Sequence, residues 1–106
     1  MGSALTYLGF ARKKGAAGLG TEGARTAVQN GSARVVLLAA DASDNAKKRM
    51  TDACHHYRVT LLQTPSAASE LGGACGKAPL AAVAVTDPHL AEAILKVEED
   101  AKWQSL

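Results

Sequence analysis

Five consecutive apolar residues, Val35 to Ala39, constrain the fold of this chain more than any other feature. A strand that is apolar at every position has both faces buried, so it belongs in the centre of a sheet that is covered on both sides. Shorter apolar segments at residues 59–62 and 81–85 predict two further strands, and the small residues 16–20 allow a fourth, short one. The sequence therefore predicts a sheet of about four strands.

Apolar residues at helical spacing occur between these strands and at both ends of the chain. The predicted helices are residues 3–14, residues 21–30, residues 44–57, a segment starting near residue 66, and the segment that follows Asp87-Pro88. In the third helix the predicted inward stripe is Ala46, Met50, Ala53 and Tyr57. Helices that alternate with strands build an α/β fold, here a three-layer α/β/α sandwich around a small, mostly parallel or mixed sheet.

Length and composition limit the chain to a small class of proteins. Its 106 residues, 47% of them hydrophobic, suffice for one domain over residues 1–106 and exclude a multidomain enzyme. No apolar run approaches the roughly 20 residues of a membrane span, and the first residues lack the charged-then-apolar order of a signal peptide. We therefore expect a cytoplasmic, monomeric protein with reduced thiols and no membrane partner.

Charge is distributed unevenly along the chain. Residues 1–81 hold ten basic and five acidic side chains, whereas residues 82–106 hold two basic and five acidic ones. A basic body with an acidic last helix is compatible with one positive, nucleic-acid-binding face. Lys47, Lys48 and Arg49 contribute to that face, because they open a helix whose first turn favours acidic residues instead. An ordinary solvated surface explains the same residues about as well.

Gly18, Gly20 and Gly23 match the G-x-G-x-x-G pattern of dinucleotide-binding folds. A helix and a strong strand follow, and Asp41 stands near the end of that strand. The fingerprint must leave a buried strand, however, whereas the residues before Gly18 are a helix end. Tight turns and close helix–strand packing explain the glycines better, and exposed amides at the helix start are also suited to RNA phosphates or base edges. We expect no cofactor and no small-molecule substrate.

The run Cys54-His55-His56 suggests either a metal site or a cysteine nucleophile with a histidine base. Adjacent helical residues point about 100° apart, so these three side chains do not converge on one ion. No third group that would orient a catalytic pair is identifiable, and Asp41 and Asp44 flank a turn where aspartates usually cap helices. The sequence therefore predicts no metal site and no enzymatic activity.

The segment VVLLAADASDNAKKRMTDACHHYRV, residues 35–59, resembles the bacterial YlxQ-type branch of the L-seven-Ae ribosomal protein family of kink-turn RNA binders. The likeness starts at LGFARKKG, continues through GTEGARTAVQNGSARVVLLAADAS and returns at LGGACGKAPLAAVAVTD, so it covers almost the whole chain. The resemblance implies the same α/β/α sandwich around four strands. It also implies a non-catalytic, ribosome-associated or ribosomal-protein-like protein that binds kink-turn RNA, a helix bent beside tandem sheared G·A pairs.

The resemblance also implies two RNA-binding surfaces. In the family, the start of the second helix enters the major groove at the G·A pairs, and the loop before the last strand supports a flipped-out base. Carried to this sequence, the first surface is Gly20, Thr21, Glu22, Gly23, Arg25 and Thr26, and the second is Lys77, Ala78, Pro79 and Leu80. We add Lys13, Lys14, Lys47 and Lys48 as phosphate contacts because of their charge.

The second helix departs from the family's pattern, Asn-Glu-x-x-Lys. Aligned with Glu22-Gly23-Ala24-Arg25-Thr26, the chain has Glu22 and Gly23 at the guanine-contacting positions and Thr26 at the lysine, and Arg25 is about 100° away around the helix. This departure favours general RNA binding over strict kink-turn specificity. The missing lysine and the acidic last helix also allow an alternative, a protein-interaction module on the same fold that has lost RNA recognition.

Overall fold

The computed structural model describes residues 4–104, with side chains through residue 97. Helices and strands alternate along this range as predicted. In chain order they are α1 (Ala4–Lys13), β1 (Ala17–Leu19), α2 (Gly20–Gln29), β2 (Val35–Leu38), α3 (Asp44–Tyr57), β3 (Thr60–Gln63), α4 (Ala68–Ala74), β4 (Ala82–Val85) and α5 (Pro88–Gln104). Each predicted element is present within about two residues of its expected bounds; residue 3 lies outside the described range.

The four strands form one mixed sheet in the order β1-β4-β2-β3. β2 and β3 are parallel, whereas β4 pairs antiparallel with both β1 and β2. The two central strands, β2 and β4, are buried at every position, and the outer strands β1 and β3 are only partly buried. The prediction of a central, covered strand at Val35 to Ala39 is therefore confirmed, although β2 ends at Leu38 and the buried Ala39 follows it.

Helices cover both faces of this sheet. α2 and α3 pack side by side on one face, and α1, α4 and α5 pack on the other. The core between the layers consists of small and branched side chains, with Leu8, Leu37, Met50, Leu71 and Ile94 among its largest fully buried members. The predicted three-layer α/β/α sandwich is confirmed. No helix within residues 4–104 has the length and apolarity needed to cross a membrane.

The inward stripe of α3 differs from its prediction at one end. Ala46, Met50 and Cys54 are the buried residues, whereas Tyr57 is 45% exposed. Ala46, Met50 and Cys54 form one i, i+4 row that meets the sheet, and Ala53 and Tyr57 belong to the neighbouring row. The prediction of Tyr57 as a core residue is wrong because that neighbouring row faces α2 instead of the sheet.

Candidate nucleic-acid interface

The functional residues predicted from the sequence fall at the two ends of the sheet. We call the end where β2 and β3 finish, at Leu38 and Gln63, the upper end, and the end where they begin, at Val35 and Thr60, the lower end. The strand pairings place Leu19 and Ala82 at the upper end as well, next to the first residues of α2, α3 and α4. Three helix N-termini, each with a partial positive charge, therefore meet at the upper end.

Close contact with β1 fixes the start of α2. A Cβ atom added to Gly18 would lie 2.5 Å from the carbonyl oxygen of Gly23, and one added to Gly23 would lie 3.1 Å from the carbonyl carbon of Gly18. Gly20 has a φ of 75°, which favours glycine at this strand-to-helix turn. α2 begins directly after Leu19 without a side-chain cap, so Thr21 is not the N-cap that its type suggests.

This geometry also distinguishes between two interpretations of the G-x-G-x-x-G pattern, dinucleotide binding and close packing. β1 is a three-residue outer strand that pairs antiparallel with β4, whereas a dinucleotide fingerprint follows a buried parallel strand. The first and last glycines of the pattern contact each other across the strand–helix interface. The packing interpretation of the three glycines is therefore the one that agrees with the structure.

The loop at residues 77–80 lies next to the start of α2. The side chain of Leu80 comes within 3.7 Å of the position that a Cβ on Gly20 would occupy. The backbone N–H groups of Lys77 and Leu80 donate to the carbonyl oxygens of Gly72 and Ala68 in α4, at 2.8 and 3.0 Å. The two surfaces that the family resemblance implies are thus adjacent in the structure.

Gly72 holds this loop close to α4. A Cβ at Gly72 would lie 2.2 Å from the carbonyl oxygen of Ala78 and 2.9 Å from the Cα of Pro79. At the next position, Gly73, a Cβ would meet no atom within 4 Å. The loop is therefore positioned by a backbone contact that only glycine allows at position 72.

The loop after β2 is tied to the other loops of the upper end. The Ala39 N–H donates to the carbonyl of Ala81 at 2.8 Å, and the Ala40 N–H donates to that of Ser66 at 2.9 Å.

Two helices of the upper end are capped by side chains of the loop after β2. The Asp41 carboxylate accepts from the Ala68 N–H at 2.7 Å, so it caps α4 from a distant part of the chain. α3 itself is capped by Ser43, whose hydroxyl accepts from the Ala46 N–H. Asp41 therefore caps a helix, as its residue type predicts, but that helix is α4; Asp44 is the first residue of α3 and is not its cap.

A crevice of about 280 Å³ opens where β2 and β3 end. Lys47 forms one wall and Pro65 another, and the Ala39–Ala81 hydrogen bond connects the crevice to the loop at residues 77–80. Its full lining is Leu38, Ala39, Ala40, Lys47, Gln63, Thr64 and Pro65. Crevices beyond the carboxyl ends of parallel strands are common ligand positions in α/β folds.

At the upper end most acidic side chains have partners within the protein, whereas the lysines described there have no ion-pair partner. Asp41 accepts a hydrogen bond from the N–H of Ala68, the first residue of α4, Glu70 accepts one from the N–H of the N-cap Ala67, and Glu22 pairs weakly with Arg49 at 3.4 Å. Among the described side chains, Lys47, Lys48 and Lys77 form no ion pair. The lysines of this end therefore remain available to an anionic partner, whereas most of its acids already have partners within the protein.

Lys13 and Lys14 lie elsewhere. They end α1 and precede β1, so they belong to the lower end of the sheet, away from Gly20, Leu80 and Lys48. Lys14 is paired with Asp87, the N-cap of α5. Hydrogen bonds from Lys14 and from the Leu90 N–H lower the pKa of Asp87 to about 2. The structure thus brings twelve of the fourteen predicted RNA-contact residues to one end and leaves these two apart.

The Cys54-His55-His56 run does not form a common site. Cys54 is buried in the core, whereas His55 and His56 are exposed. Burial raises the pKa of the thiols of Cys54 and Cys75, although the charge of Arg12 opposes the effect at Cys75. A raised pKa keeps a thiol protonated and unreactive. Within residues 4–97, no three His, Cys, Asp or Glu side chains are placed to share a metal ion.

A second groove, between α2 and α3, was not predicted from the sequence. It has a volume of about 380 Å³ and runs along the outer surface of the two helices. Its lining is Arg25, Gln29, Arg49, Asp52, Ala53, His56 and Tyr57. The sequence does contain a signal for this groove, the i, i+4 row of Arg49, Ala53 and Tyr57. The adjacent row of α3 faces the sheet, so this row faces the neighbouring helix.

Comparison with known proteins agrees with this architecture. Residues 3–95 match the model of the ribosomal protein L7Ae/L30e/S12e/Gadd45 family. The RNA-binding protein YlxQ of Bacillus subtilis (strain 168) is 39% identical over 70 residues, which cover 66% of this chain and 69% of that protein.

Two solved structures share the fold. A protein of unknown function from Bacillus halodurans superposes with a TM-score of 0.81 at 29% identity, covering 89% of this chain and 94% of the other. The Giardia lamblia 15.5kD RNA binding protein superposes with a TM-score of 0.73 at 20% identity, covering 92% and 83%. Because the family model covers most of the sequence, the chain belongs to the ribosomal protein L7Ae/L30e/S12e/Gadd45 family.

Proposed function

We propose that this protein is a non-catalytic, monomeric RNA-binding protein of the bacterial cytoplasm. In this proposal it recognises kink-turn or similarly bent RNA, as a ribosome-associated or ribosomal-protein-like factor. An RNA-binding role is supported by the family and by the YlxQ relative, which is named as an RNA-binding protein. The observation that carries the proposal is the adjacency of the α2 start and the loop at residues 77–80, with three unpaired lysines at the same end.

In the proposed complex, the first two turns of α2 meet the RNA groove. The contact residues are Gly20, Thr21, Glu22, Gly23, Arg25 and Thr26. An acid at Glu22 is able to accept from guanine amino groups although the family has asparagine there, and Arg25 is the cation of these turns. We therefore assign Glu22 to guanine amino groups and Arg25 to a phosphate, since residues three apart lie on the same helix face.

The loop beside α2 has a complementary role. Ala78, Pro79 and Leu80 present small and apolar surface next to the crevice at the ends of β2 and β3, which suits the face of an unstacked base. Lys77 in the same loop, together with Lys47 and Lys48 at the start of α3, supplies cations for phosphates on either side. RNA of this kind is recognised through shape and splayed bases as well as charge.

The experiment that tests the proposal is a titration of a kink-turn RNA against the same RNA with its G·A pairs replaced by Watson–Crick pairs, at two salt concentrations. We expect tighter binding to the kink-turn RNA, and affinity for both RNAs that falls steeply with salt because bound phosphates release counterions. Replacement of Arg25 by Gln is expected to weaken kink-turn binding more than binding to the control RNA.

Other outcomes of this titration have defined meanings. Equal, salt-sensitive binding to both RNAs would contradict kink-turn recognition and leave a general RNA-binding protein. Absence of binding to either RNA would contradict the RNA-binding function and favour a protein-interaction module on the same fold. Size-exclusion chromatography of the same samples checks the monomeric state.

A further inference from the structure

The groove between α2 and α3 combines basic and aromatic groups. Arg25 stands on the α2 wall and Arg49 on the α3 wall, and the residue Tyr57 is 45% exposed. Tyr57 is held in an edge-to-face contact with His56, with ring centroids 4.7 Å apart and an interplanar angle of 80°. A pre-oriented, exposed ring beside guanidinium groups is the arrangement on which proteins stack unpaired bases and neutralise their phosphates.

The lining of the groove favours RNA over a protein partner. Ala53 is the only small apolar residue in it, whereas arginine, aspartate, histidine and glutamine side chains make up most of the rest. The buried cores of protein–protein interfaces are mostly apolar, whereas six of the seven lining residues of this groove carry a polar or charged group. Asp52 is the one carboxylate among the lining residues, and Glu22 pairs with Arg49 from the first turn of α2. Among the described side chains Arg25 forms no ion pair, so it is the cation of the groove that is free to meet a phosphate.

The groove is continuous with the upper end of the sheet. α2 and α3 both start there and run toward the lower end, and Glu22 in the first turn of α2 pairs with Arg49 in the groove. Glu22 is 84% exposed and the N–O distance is 3.4 Å, so this ion pair is weak and readily exchanged for a phosphate. A strand bound at the upper end therefore has a direct path between the two helices.

We propose that this groove binds a single-stranded RNA segment that continues from the nucleotides held at the upper end. Arg25 and Arg49 neutralise phosphates of the segment, and one base stacks on Tyr57. This inference rests on the proposed RNA-binding function and extends the contact surface beyond the residues that the family resemblance implies.

The test compares a kink-turn RNA with the same RNA carrying an unpaired tail of about six nucleotides at its 5′ or its 3′ end, a length within the range bound by single-strand sites. The quantity measured is the tail gain, the ratio of the two affinities. We expect a tail at one of the two ends to raise the affinity of the wild-type protein roughly five- to one-hundred-fold, as stacking of one base predicts.

Matched variants locate the tail. Tyr57→Ala is expected to abolish the tail gain and Tyr57→Phe to retain it, because phenylalanine keeps the stacking ring. Phe10→Ala is the control, since Phe10 is a 50% exposed aromatic residue on α1, on the other face of the sheet.

Charge variants test the phosphate contacts of the groove. Arg49→Gln is expected to reduce the slope of log affinity against log salt concentration for tailed RNA by about one, whereas Lys96→Gln on α5 leaves that slope unchanged. Asp52→Asn is expected to increase the tail gain.

The failures of this inference and of the proposed function are distinguishable. If the wild type binds the kink-turn RNA but neither tail increases affinity, or if the gain persists in both Tyr57→Ala and Arg49→Gln, the groove does not bind RNA and the upper-end function stands. If the wild type binds none of the RNAs, both the proposed function and the groove assignment are wrong. Because the tail gain is a ratio within one variant, partial loss of stability does not imitate the expected result.

Discussion

The upper and lower ends of the sheet both carry basic residues, but the two ends are held in different ways. At the upper end, backbone contacts at Gly18 and Gly72 leave no room for a Cβ, and they fix the start of α2 and the loop at residues 77–80. At the lower end, the ion pair between Lys14 and the N-cap residue Asp87 connects α1 with α5. Cations at the upper end therefore stay available to a ligand, whereas Lys14 at the lower end is used to hold the fold together.

The largest expected effect comes from the glycines of α4. Gly72→Ala would force a Cβ to within 2.2 Å of the Ala78 carbonyl oxygen, so α4 or the loop must move. We expect a loss of about 3 kcal/mol in the free energy of unfolding, at the upper end of the range for overpacking, together with weaker RNA binding. Urea denaturation and an RNA titration measure the two effects.

Gly73→Ala is the matched control for this change. A Cβ at Gly73 meets no atom within 4 Å, and alanine is favoured over glycine inside a helix, so the variant is expected to be more stable by about 0.5–1 kcal/mol with unchanged RNA binding. Equal behaviour of the two variants would show that the backbone contact at Gly72 does not position the loop.

A second prediction compares one exposed lysine from each end. Lys48→Glu at the upper end is expected to lower RNA affinity roughly tenfold at low salt, because a phosphate contact is replaced by a repulsion. Lys13→Glu at the lower end is expected to change affinity less than about twofold, since an exposed charge beyond a Debye length is screened. Filter binding or fluorescence anisotropy measures both.

The same two variants are expected to differ little in stability. Lys48 is the fifth residue of α3, beyond the first turn in which the helix dipole acts, and Asp44 and Asp52 lie four residues on either side of it, so Lys48→Glu is expected to cost about 0.5–1 kcal/mol through like-charge repulsion. Lys13→Glu in the last turn of α1 opposes the helix dipole and is expected to cost about 0.3–1 kcal/mol. Because the two losses of stability are similar, a larger loss of binding in Lys48→Glu reports an RNA contact and not unfolding. If Lys13→Glu weakens binding as much as Lys48→Glu, the RNA also contacts the α1 side of the lower end.

The pH dependence of stability tests the ion pair between Lys14 and Asp87 at the lower end. Because the pKa of Asp87 is lowered to about 2 from an ordinary value of 3.8, chiefly by the hydrogen bond from Lys14, its stabilising effect is complete above about pH 4 and is lost as the pH falls toward 2. Asp87→Asn keeps an oxygen that accepts from the Leu90 N–H but loses the charge. We expect this variant to have a lower melting temperature than the wild type at neutral pH, and the difference to shrink as the pH falls toward 2.

Lys14→Gln removes the partner instead of the carboxylate. It is expected to give the same pH-dependent difference from the wild type, and the double variant is expected to add little to either single one. A difference in melting temperature that persists unchanged as the pH falls toward 2 would show that the ion pair between Lys14 and the ionised Asp87 is not its cause.

The sequence was sufficient for the fold because the patterns that define it are local. The apolar run from Val35 to Leu38 predicted a central strand, and the helices followed from their spacing. The order of the strands in the sheet could not be predicted from these local patterns. β4 is inserted between β1 and β2 in antiparallel orientation, and periodicity identifies a strand without identifying its neighbours.

The candidate site was predictable in type but less so in arrangement. Gly72 and Gly73 are indistinguishable in sequence, yet only Gly72 contacts the loop, since it alone faces the backbone of Ala78. Charge alone places Lys14 with the other lysines, but its partner lies 73 positions away and is brought close only by the packing of α1 beside α5. Long-range pairings of this kind depend on the folded chain and leave no local pattern.

The smallest expected effect concerns the turn that leads from α3 to the lower end. Arg58 has a φ of 58° at the C-terminal cap of α3, in the left-handed region that costs a side-chain-bearing residue about 1–2 kcal/mol. Arg58→Gly removes that cost but increases the entropy of the unfolded chain by about 0.5–1 kcal/mol, so a net gain of about 0.5–1 kcal/mol in the free energy of unfolding is expected. Arg58→Ala, which keeps the strain and removes only the charged side chain, is expected to show no such gain in urea denaturation. A gain from both variants would mean that the arginine side chain, and not the backbone conformation, destabilises this turn.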